Sequence, residues 1–291
     1  MRLIEAIEHA SARLQSAGVS FGHGTTNAFD EAAWLVLWRL GLPLDSLDDH
    51  AQRLCSKAEA AQVEAIIDQR ISSREPTAYL TGEAWLQGVA FTVDARVIVP
   101  RSLIAEPLMQ GSFDAWLGPQ TRRVLDLCTG NASLAVLAAM AWPDVQIDAT
   151  DLSAPALDVA RINVDRHALG ARIRLLQGNG LDAVAGQRYD LVLCNPPYVN
   201  SQSMAGLPAE FRAEPSLALD GGVDGMDFIR GLLRRLPEHM SDEAILILEI
   251  GHERLHFERA FGALEVVWLS TSASDDQVLL ITRAALVAAR A

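Results

Sequence analysis

Residues 189–198 read Tyr189-Asp190-Leu191-Val192-Leu193-Cys194-Asn195-Pro196-Pro197-Tyr198, an apolar run closed by a proline-rich turn. Such a run predicts a buried strand of an α/β sheet, and the carboxyl end of that strand is where open α/β sheets place their ligands. Neither proline has an N–H to donate, and Pro196 pushes Asn195 toward extended backbone. The tetrapeptide is therefore expected to form a stiff arc that presents the Asn195 carboxamide and outward-turned carbonyls. The Asn195 side-chain oxygen and the Pro196 carbonyl would accept the two hydrogens of a planar amide or exocyclic amine, with Pro197 stiffening the arc and the Tyr198 ring packed on the plane of that group. A cradle of this kind suits methyl transfer to nitrogen. Taken alone, the same residues also serve as a plain strand-ending turn.

The surrounding pattern supports a sheet. Beyond Pro119, predicted strands at 124–127, 145–150, 173–177, 189–194 and 245–250 alternate with helices that end near 142 and 169 and one near 226–236. Repeated βα units imply a mostly parallel, Rossmann-like sheet with right-handed crossovers. Two more apolar strands, 265–270 and 277–282, are joined by the short polar link 271–276, which predicts an antiparallel finish.

The first 80 residues read as helices. Leu3, Ile7, Ala10 and Leu14 share one face; Trp34, Leu37 and Trp38 share another after Asp30-Glu31. Ser56 and Glu59 form a capping box before Val63, Ile66, Ile67, Arg70 and Ile71, and Glu75-Pro76 supplies a stop. From 85 to 99 the period changes to two, which predicts a hairpin turning at Asp94-Ala95, with Val89, Phe91 and Val93 before the turn and Val97 and Val99 after it. The expected division is a helical module over 1–84, a hairpin and helix linker over 85–119, and an α/β domain over 120–291. The helical module would either dock a substrate or simply pack against the hairpin.

A chain of 291 residues, half of them hydrophobic, buries a large core. The longest apolar stretch, 134–142, is too short to span a bilayer, which takes roughly 20 residues. Glu5 interrupts the start, so no export signal is expected, and three cysteines without CxxC spacing fit reduced thiols in a cytoplasm. A net charge of −13 repels a phosphate backbone, so duplex nucleic acid is disfavoured as substrate. It suits a basic protein partner, and equally it serves solubility.

At the end of the first predicted strand of the sheet stands Asp126-Leu127-Cys128-Thr129-Gly130-Asn131-Ala132, a turn of small residues leading into a helix. Gly130 would let a cofactor approach the main chain. The turn is not GxGxxG, which disfavours a dinucleotide. Twenty-one residues past Gly130, Asp151 ends the second strand, followed by Leu152, at the position from which an acidic residue accepts both ribose hydroxyls in Rossmann-like sheets. Asp151 could instead cap the helix begun by Ser153. Asn179 stands where an acceptor would read an adenine amino group, and a plain Gly178-Asn179-Gly180 turn accounts for it equally well. A nucleoside without diphosphate fits these positions, and S-adenosylmethionine is the natural candidate. His252-Glu253-Arg254-Leu255-His256 matches the zinc motif H-E-x-x-H, yet it directly follows a strand and lacks a third ligand, so no metal is expected. His9, His50 and His167 fall singly and are expected to face solvent.

With these residues in view, nearly the whole chain resembles the protein glutamine methyltransferases, S-adenosylmethionine-dependent enzymes that modify the Gln of a Gly-Gly-Gln motif. The likeness rests on Ala78-Tyr79-Leu80-Thr81, Val99-Pro100-Arg101, the stretch 126–130, Asn195-Pro196-Pro197-Tyr198, and Leu207-Pro208-Ala209-Glu210-Phe211-Arg212-Ala213-Glu214-Pro215. Gly22-His23-Gly24-Thr25, Asp30-Glu31-Ala32 and Pro100-Arg101-Ser102 in place of Pro-Arg-Pro resemble the branch acting on the third large-subunit ribosomal protein rather than on release factors. The resemblance implies a class I methyltransferase fold, S-adenosylmethionine as cofactor held by Asp126, Cys128, Thr129, Gly130, Asn131, Ala132, Asp151, Leu152, Asn179 and Asn195, and a ribosomal protein substrate gripped by 195–198. Enzymes that methylate adenine or cytosine amines carry the same tetrapeptide, so a nucleic-acid amino methyltransferase is the alternative. A cofactor-binding assembly factor without catalysis is another. The chain departs from the family pattern at Ala132, where a glycine is usual, at Asn179, where Asp is usual, at Leu103 and Pro107, where the branch tends to have Pro and Leu, and at Ser274-Asp275-Asp276, which lacks a glycine pair.

Overall fold

The computed structural model describes residues 1–289; residues 290 and 291, the end of the expected third segment, lie outside the described residues. Helix Leu3–Ser16 buries Leu3, Ile7, Ala10 and Leu14 along the predicted face. Helix Ala28–Arg39 starts on Asn27, whose side chain accepts the Asp30 N–H. Trp34 and Leu37 are buried as expected, but Trp38 is 37% exposed. Ala32, Ala33, Leu35 and Val36 are buried instead, because this helix is packed on several sides and has no single apolar stripe. Ser56 and Glu59 close the capping box of helix Lys57–Ser73, and Arg74, left-handed at φ 60°, ends it before Glu75-Pro76.

The hairpin is real but lies elsewhere. β1 (Glu83–Leu86) and β2 (Val89–Thr92) pair antiparallel around Gln87-Gly88. Both turn residues take positive φ, 50° and 75°, the conformation whose twist matches that of flanking strands. Asp94-Ala95 is therefore not the hairpin turn, and Val97 and Val99 are buried outside any strand. His167, expected in solvent, is half-buried, with Nε2 2.9 Å from the Ala90 carbonyl and its ring against Phe91.

The sheet follows: β3 (Arg123–Leu127), β4 (Gln146–Asp151), β5 (Ile173–Gln177), β6 (Tyr189–Cys194), β7 (Met240–Glu249), β8 (Val267–Leu269) and β9 (Val278–Thr282). Their order is β5-β4-β3-β6-β7-β9-β8, with the first five parallel and β9 antiparallel to both β7 and β8. Alternate residues of one strand feed opposite cores. Val124, Leu191, Leu193 and Ile247 pack with helices Ser133–Ala141 and Ala154–Arg166, while Leu125, Leu127, Val192 and Leu248 pack with helix Asp227–Arg235. The chain runs outward from β3 through β5 and then returns to β6 on the other side of β3, so a switch point opens between the carboxyl ends of β3 and β6.

The helical module is tied to the sheet domain in two ways. Trp34 and Ala78 share an apolar cluster with Ala84, Val93, Val97, Val99, Ala156 and Val159. In addition, Arg70, fully buried, donates to Glu31 at 2.9 Å, to the Ser20 carbonyl at 3.2 Å and to Glu210 at 3.4 Å, while Arg74 pairs with Glu210 at 2.6 Å. Glu210 lies in the short helix Ala209–Arg212, in the long segment after β6, so Arg70 near the end of one helix and Arg74 just past it hold that segment in place. Removing one member of such a buried cluster strands the remaining charges. Arg70→Ala is expected to lower stability by about 3 kcal/mol or more, read as a lower urea midpoint; an unchanged midpoint would show that the cluster does not hold the fold together.

Candidate active site

The ends of β3, β4 and β6 bring most of the predicted residues to one cavity. In the register of the sheet Leu127 lies opposite Cys194, so the turn after β3 and the turn after β6 lie side by side. The cavity between them holds about 840 Å³ of open space counting its mouth, and Cys128, Gly130, Asp151, Leu152, Asn179, Asn195 and Pro197 line it. Ile98, Ala156, Pro215, Leu217 and Phe228 complete largely apolar walls. Asp126, Thr129, Asn131, Ala132, Pro196 and Tyr198 are not among the lining residues, and each lies within two residues of one that is.

The turn after β3 is shaped by carboxylates and left-handed backbone. Cys128, Gly130 and Ala132 take φ of 58°, 55° and 64°. A Cβ added to Gly130 would meet nothing within 4 Å, so the main chain there lies open to a ligand. Asp151 Oδ2 accepts the Gly130 N–H at 2.9 Å and Oδ1 the Ser153 N–H at 2.8 Å, so one carboxylate joins the ends of β3 and β4. Burial pushes its pKa up against these main-chain donors. Ser153, rather than Asp151, caps the following helix by accepting the Ala156 N–H. Asn179 is exposed and contributes no side-chain cap to the turn it begins.

Behind the turn, Asp126 accepts from the Thr129 hydroxyl at 2.5 Å and the Ala135 N–H at 3.1 Å through one oxygen, while its other oxygen is buried without a partner. Burial raises its pKa from the ordinary 3.8 to about 7, opposed by those two donors. Asn131 accepts the Ser133 N–H, and its carbonyl accepts from Asn163, which also makes two hydrogen bonds to the Thr92 main chain. Asn163 thereby couples the hairpin to the turn.

Among the described residues, no hydrogen bond involves the Asn195 carboxamide or ends on the Pro196 carbonyl. Their acceptors are free. Tyr198 is held by contrast: its hydroxyl donates to Glu249 Oε1 at 3.0 Å, and its ring lies on Gly251, where an added Cβ would come within 2.4 Å. A Cβ on Gly221 would come within 2.7 Å of Tyr198 Cα, and one on Gly225 within 2.2 Å of Tyr198 O. Val199 completes the clasp, donating to the Leu219 carbonyl at 2.8 Å and accepting from the Gly221 N–H at 2.9 Å. Three glycines and a buried acid therefore fix the arc from outside, and the sequence reading had none of them. A Glu ending an apolar strand, and the spacing Gly221-Gly222-Val223-Asp224-Gly225, were the available signals.

The segment expected to carry Glu214 and Pro215 also forms part of the wall. Glu214 accepts from both Arg101 nitrogens, at 2.6 and 2.7 Å, and from the Val99 N–H at 2.8 Å, with His23 Nε2 at 3.5 Å. Burial opposes its ionisation, yet His23 and Arg101 hold its pKa down to about 2. The H-E-x-x-H match does not form a ligand pair. His252 precedes helix Arg254–Ala260 and contacts Gln277, while His256 contacts Glu253 at 2.6 Å. Among the described residues no three His, Cys, Asp or Glu side chains group as metal ligands, and no helix is long and apolar enough to cross a membrane.

Residues 5–82 match the family described as PrmC N-terminal domain, and residues 108–216 that described as methyltransferase small domain. A ribosomal protein uL3 glutamine methyltransferase from Bordetella pertussis is 51% identical over 97% of this chain and 95% of its own. The protein of the same description from Burkholderia pseudomallei is 48% identical over 95% and 93%. A solved methyltransferase from Pyrococcus furiosus superposes with a TM-score of 0.49 at 17% identity, over 68% of this chain and 90% of that one.

Two measurements follow from the turn. Ala132 stands where left-handed backbone favours glycine, so Ala132→Gly is expected to raise stability by up to about 1 kcal/mol, seen as a higher urea midpoint; a lower midpoint would mean that the methyl group packs better than the backbone strains. For Asp126, a folded-state pKa above the unfolded one means that its contribution is fully present below 3.8 and is lost as pH rises through about 7. The natural chain should therefore lose stability relative to Asp126→Asn across that window, and parallel pH profiles would refute the shift.

Proposed function

The chain belongs to the ribosomal protein uL3 glutamine methyltransferases, and on that premise we propose that the Asn195-Pro196-Pro197-Tyr198 arc grips the side-chain amide of a glutamine in that large-subunit ribosomal protein. The protein transfers a methyl group from S-adenosylmethionine to that amide nitrogen. The observation that carries the proposed grip is the free pair of acceptors, the Asn195 carboxamide and the Pro196 carbonyl, at the switch point beside the open main chain of Gly130.

The residues present suit the cofactor. When bound, S-adenosylmethionine supplies an electrophilic sulfonium methyl. Asp151 has lone pairs left for ribose hydroxyls after accepting two N–H groups; Asn179 offers an acceptor without charge; Leu152, Ala156 and Phe228 provide apolar walls for a base. Cys128 and Gly130 border the cavity through main chain that a ligand can touch, and Asp126, Thr129, Asn131 and Ala132 shape that turn from behind.

An amide nitrogen is a weak nucleophile, because its lone pair is shared with the carbonyl. Two acceptors on its hydrogens orient the nitrogen and favour the pyramidal form in which the lone pair is released; a ring packed beside it excludes water. The methylated nitrogen is acidic enough to lose its proton to a nearby carbonyl or to water, so no histidine base is required. Residues 1–84 form the docking module in this reading, supported by the Arg70 and Arg74 contacts with Glu210 beside the cavity wall. A ribosomal protein substrate and unpaired thiols fit a cytoplasmic enzyme, and the acidic balance suits a basic partner.

Asn195→Ala is expected to lower kcat/KM on isolated ribosomal protein by about 10²-fold or more with the thermal midpoint retained. The check is mass spectrometry for a single added methyl on glutamine. Wild-type transfer by the folded variant would exclude the grip.

A further inference from the structure

We propose that Glu249 is a positioning residue for methyl transfer, fixing the Tyr198 ring through its hydroxyl and in turn fixed by Ser102 and Leu103; this rests on the reading of 195–198 as the grip. Glu249 ends β7 and is 3% exposed. Its two oxygens divide their work. Oε1 accepts the Tyr198 hydroxyl at 3.0 Å; Oε2 accepts the Ser102 hydroxyl at 2.6 Å and the Leu103 N–H at 2.9 Å. Ser102 Oγ further accepts the Ile104 N–H at 3.3 Å, so the carboxylate's anchor is itself anchored to the segment leading into helix Ala105–Met109.

A carboxylate this deep in the protein needs a reason beyond packing, since an apolar side chain would fill the same space without desolvation. The geometry supplies one. Pro197 leaves the arc stiff, but a tyrosine ring can still turn about its side-chain bonds. Gly251 sets the plane against which the ring lies, and the bond to Glu249 sets where its tip sits. Locking both leaves the ring a single orientation beside the amide, and a displacement of about 1 Å in such a contact is worth on the order of 10² in rate. Arg101, from the same segment as Ser102, is taken up by Glu214, so the Tyr198–Glu249 bond is not shared with a salt bridge.

The test is a double-mutant cycle on the full chain, with kcat, KM for the ribosomal protein, and calorimetric affinity for S-adenosylmethionine measured for each variant. Tyr198→Phe and Glu249→Ala are each expected to lower kcat by about 10- to 100-fold, with cofactor affinity within about threefold, and the double variant should be no slower than the worse single one. Glu249→Gln should recover most of the rate, since its oxygen can keep Ser102 and Leu103 while its NH2 donates to the tyrosine oxygen. Ser102→Ala covers the case in which Glu249→Ala does not fold: it should slow the natural chain about threefold and leave Tyr198→Phe unaffected. Losses that multiply in either pair, or a Glu249→Gln variant as slow as Glu249→Ala, would overturn the assignment. Asn195→Ala separates the two failures, because an inactive Asn195→Ala beside fully active Glu249 and Tyr198 variants removes the lock and keeps the grip.

Discussion

The register that sets Leu127 opposite Cys194 governs the geometry of everything downstream. In a parallel pair the strands end together, so two turns that are 60-odd residues apart in the chain become neighbours, one offering bare main chain and the other two free acceptors. A slip of one residue would turn Asn195 to the other face of the sheet. The alternation of Val124 with Leu125 and of Leu191 with Val192 between two separate cores prevents that slip, since each shift would exchange the two packed faces. Hydrophobic burial thus sets the site to within one residue.

Polar contacts then refine it, and they are of two kinds. Asp151 and Glu249 each accept main-chain or hydroxyl donors from different segments, and Asn163 accepts the Thr92 N–H while donating to the Asn131 carbonyl, so each one fixes a distance between segments. The buried pairs of Arg70 with Glu31 and Glu210, and the half-buried pair of Arg101 with Glu214, fasten the long segment after β6 to the helical module and to the strap at 99–103. Glycines set the remaining clearances. Gly221, Gly225 and Gly251 differ from Gly130 in purpose: Gly130 leaves room for a ligand, whereas the other three leave room for Tyr198.

The sheet was legible because its strands are unbroken apolar runs ended by turn residues, and 173–177 and 189–194 coincide with β5 and β6. The lining residues Gly130, Asp151, Asn179 and Asn195 were legible for the same reason, as each ends a strand or follows its end within three residues. Two local readings went astray. The hairpin was placed at Asp94-Ala95 because alternating valines continue past it; the pairing is decided instead by Gln87 and Gly88, whose positive φ a period-two pattern does not register. Trp38 was assigned to the core from spacing alone, and tertiary packing on several sides of its helix overrode that stripe. The clasp around Tyr198 was illegible for a deeper reason. Its members lie more than 50 residues from the tyrosine or in a loop without periodicity, and nothing in a linear pattern relates Glu249 to Ser102 across 147 positions.

The enclosed pairs of Arg70 with Glu31 and Glu210 also separate two responses to ionic strength. Mobile ions screen exposed charges over about 8 Å at physiological strength and scarcely reach pairs that water does not enter. Dissolved salt should therefore weaken the long-range attraction between this acidic surface and a cationic protein while the cavity keeps its shape. Encounter and chemistry would thereby be tuned by different features of the same charge distribution, one open to the medium and the other shielded from it.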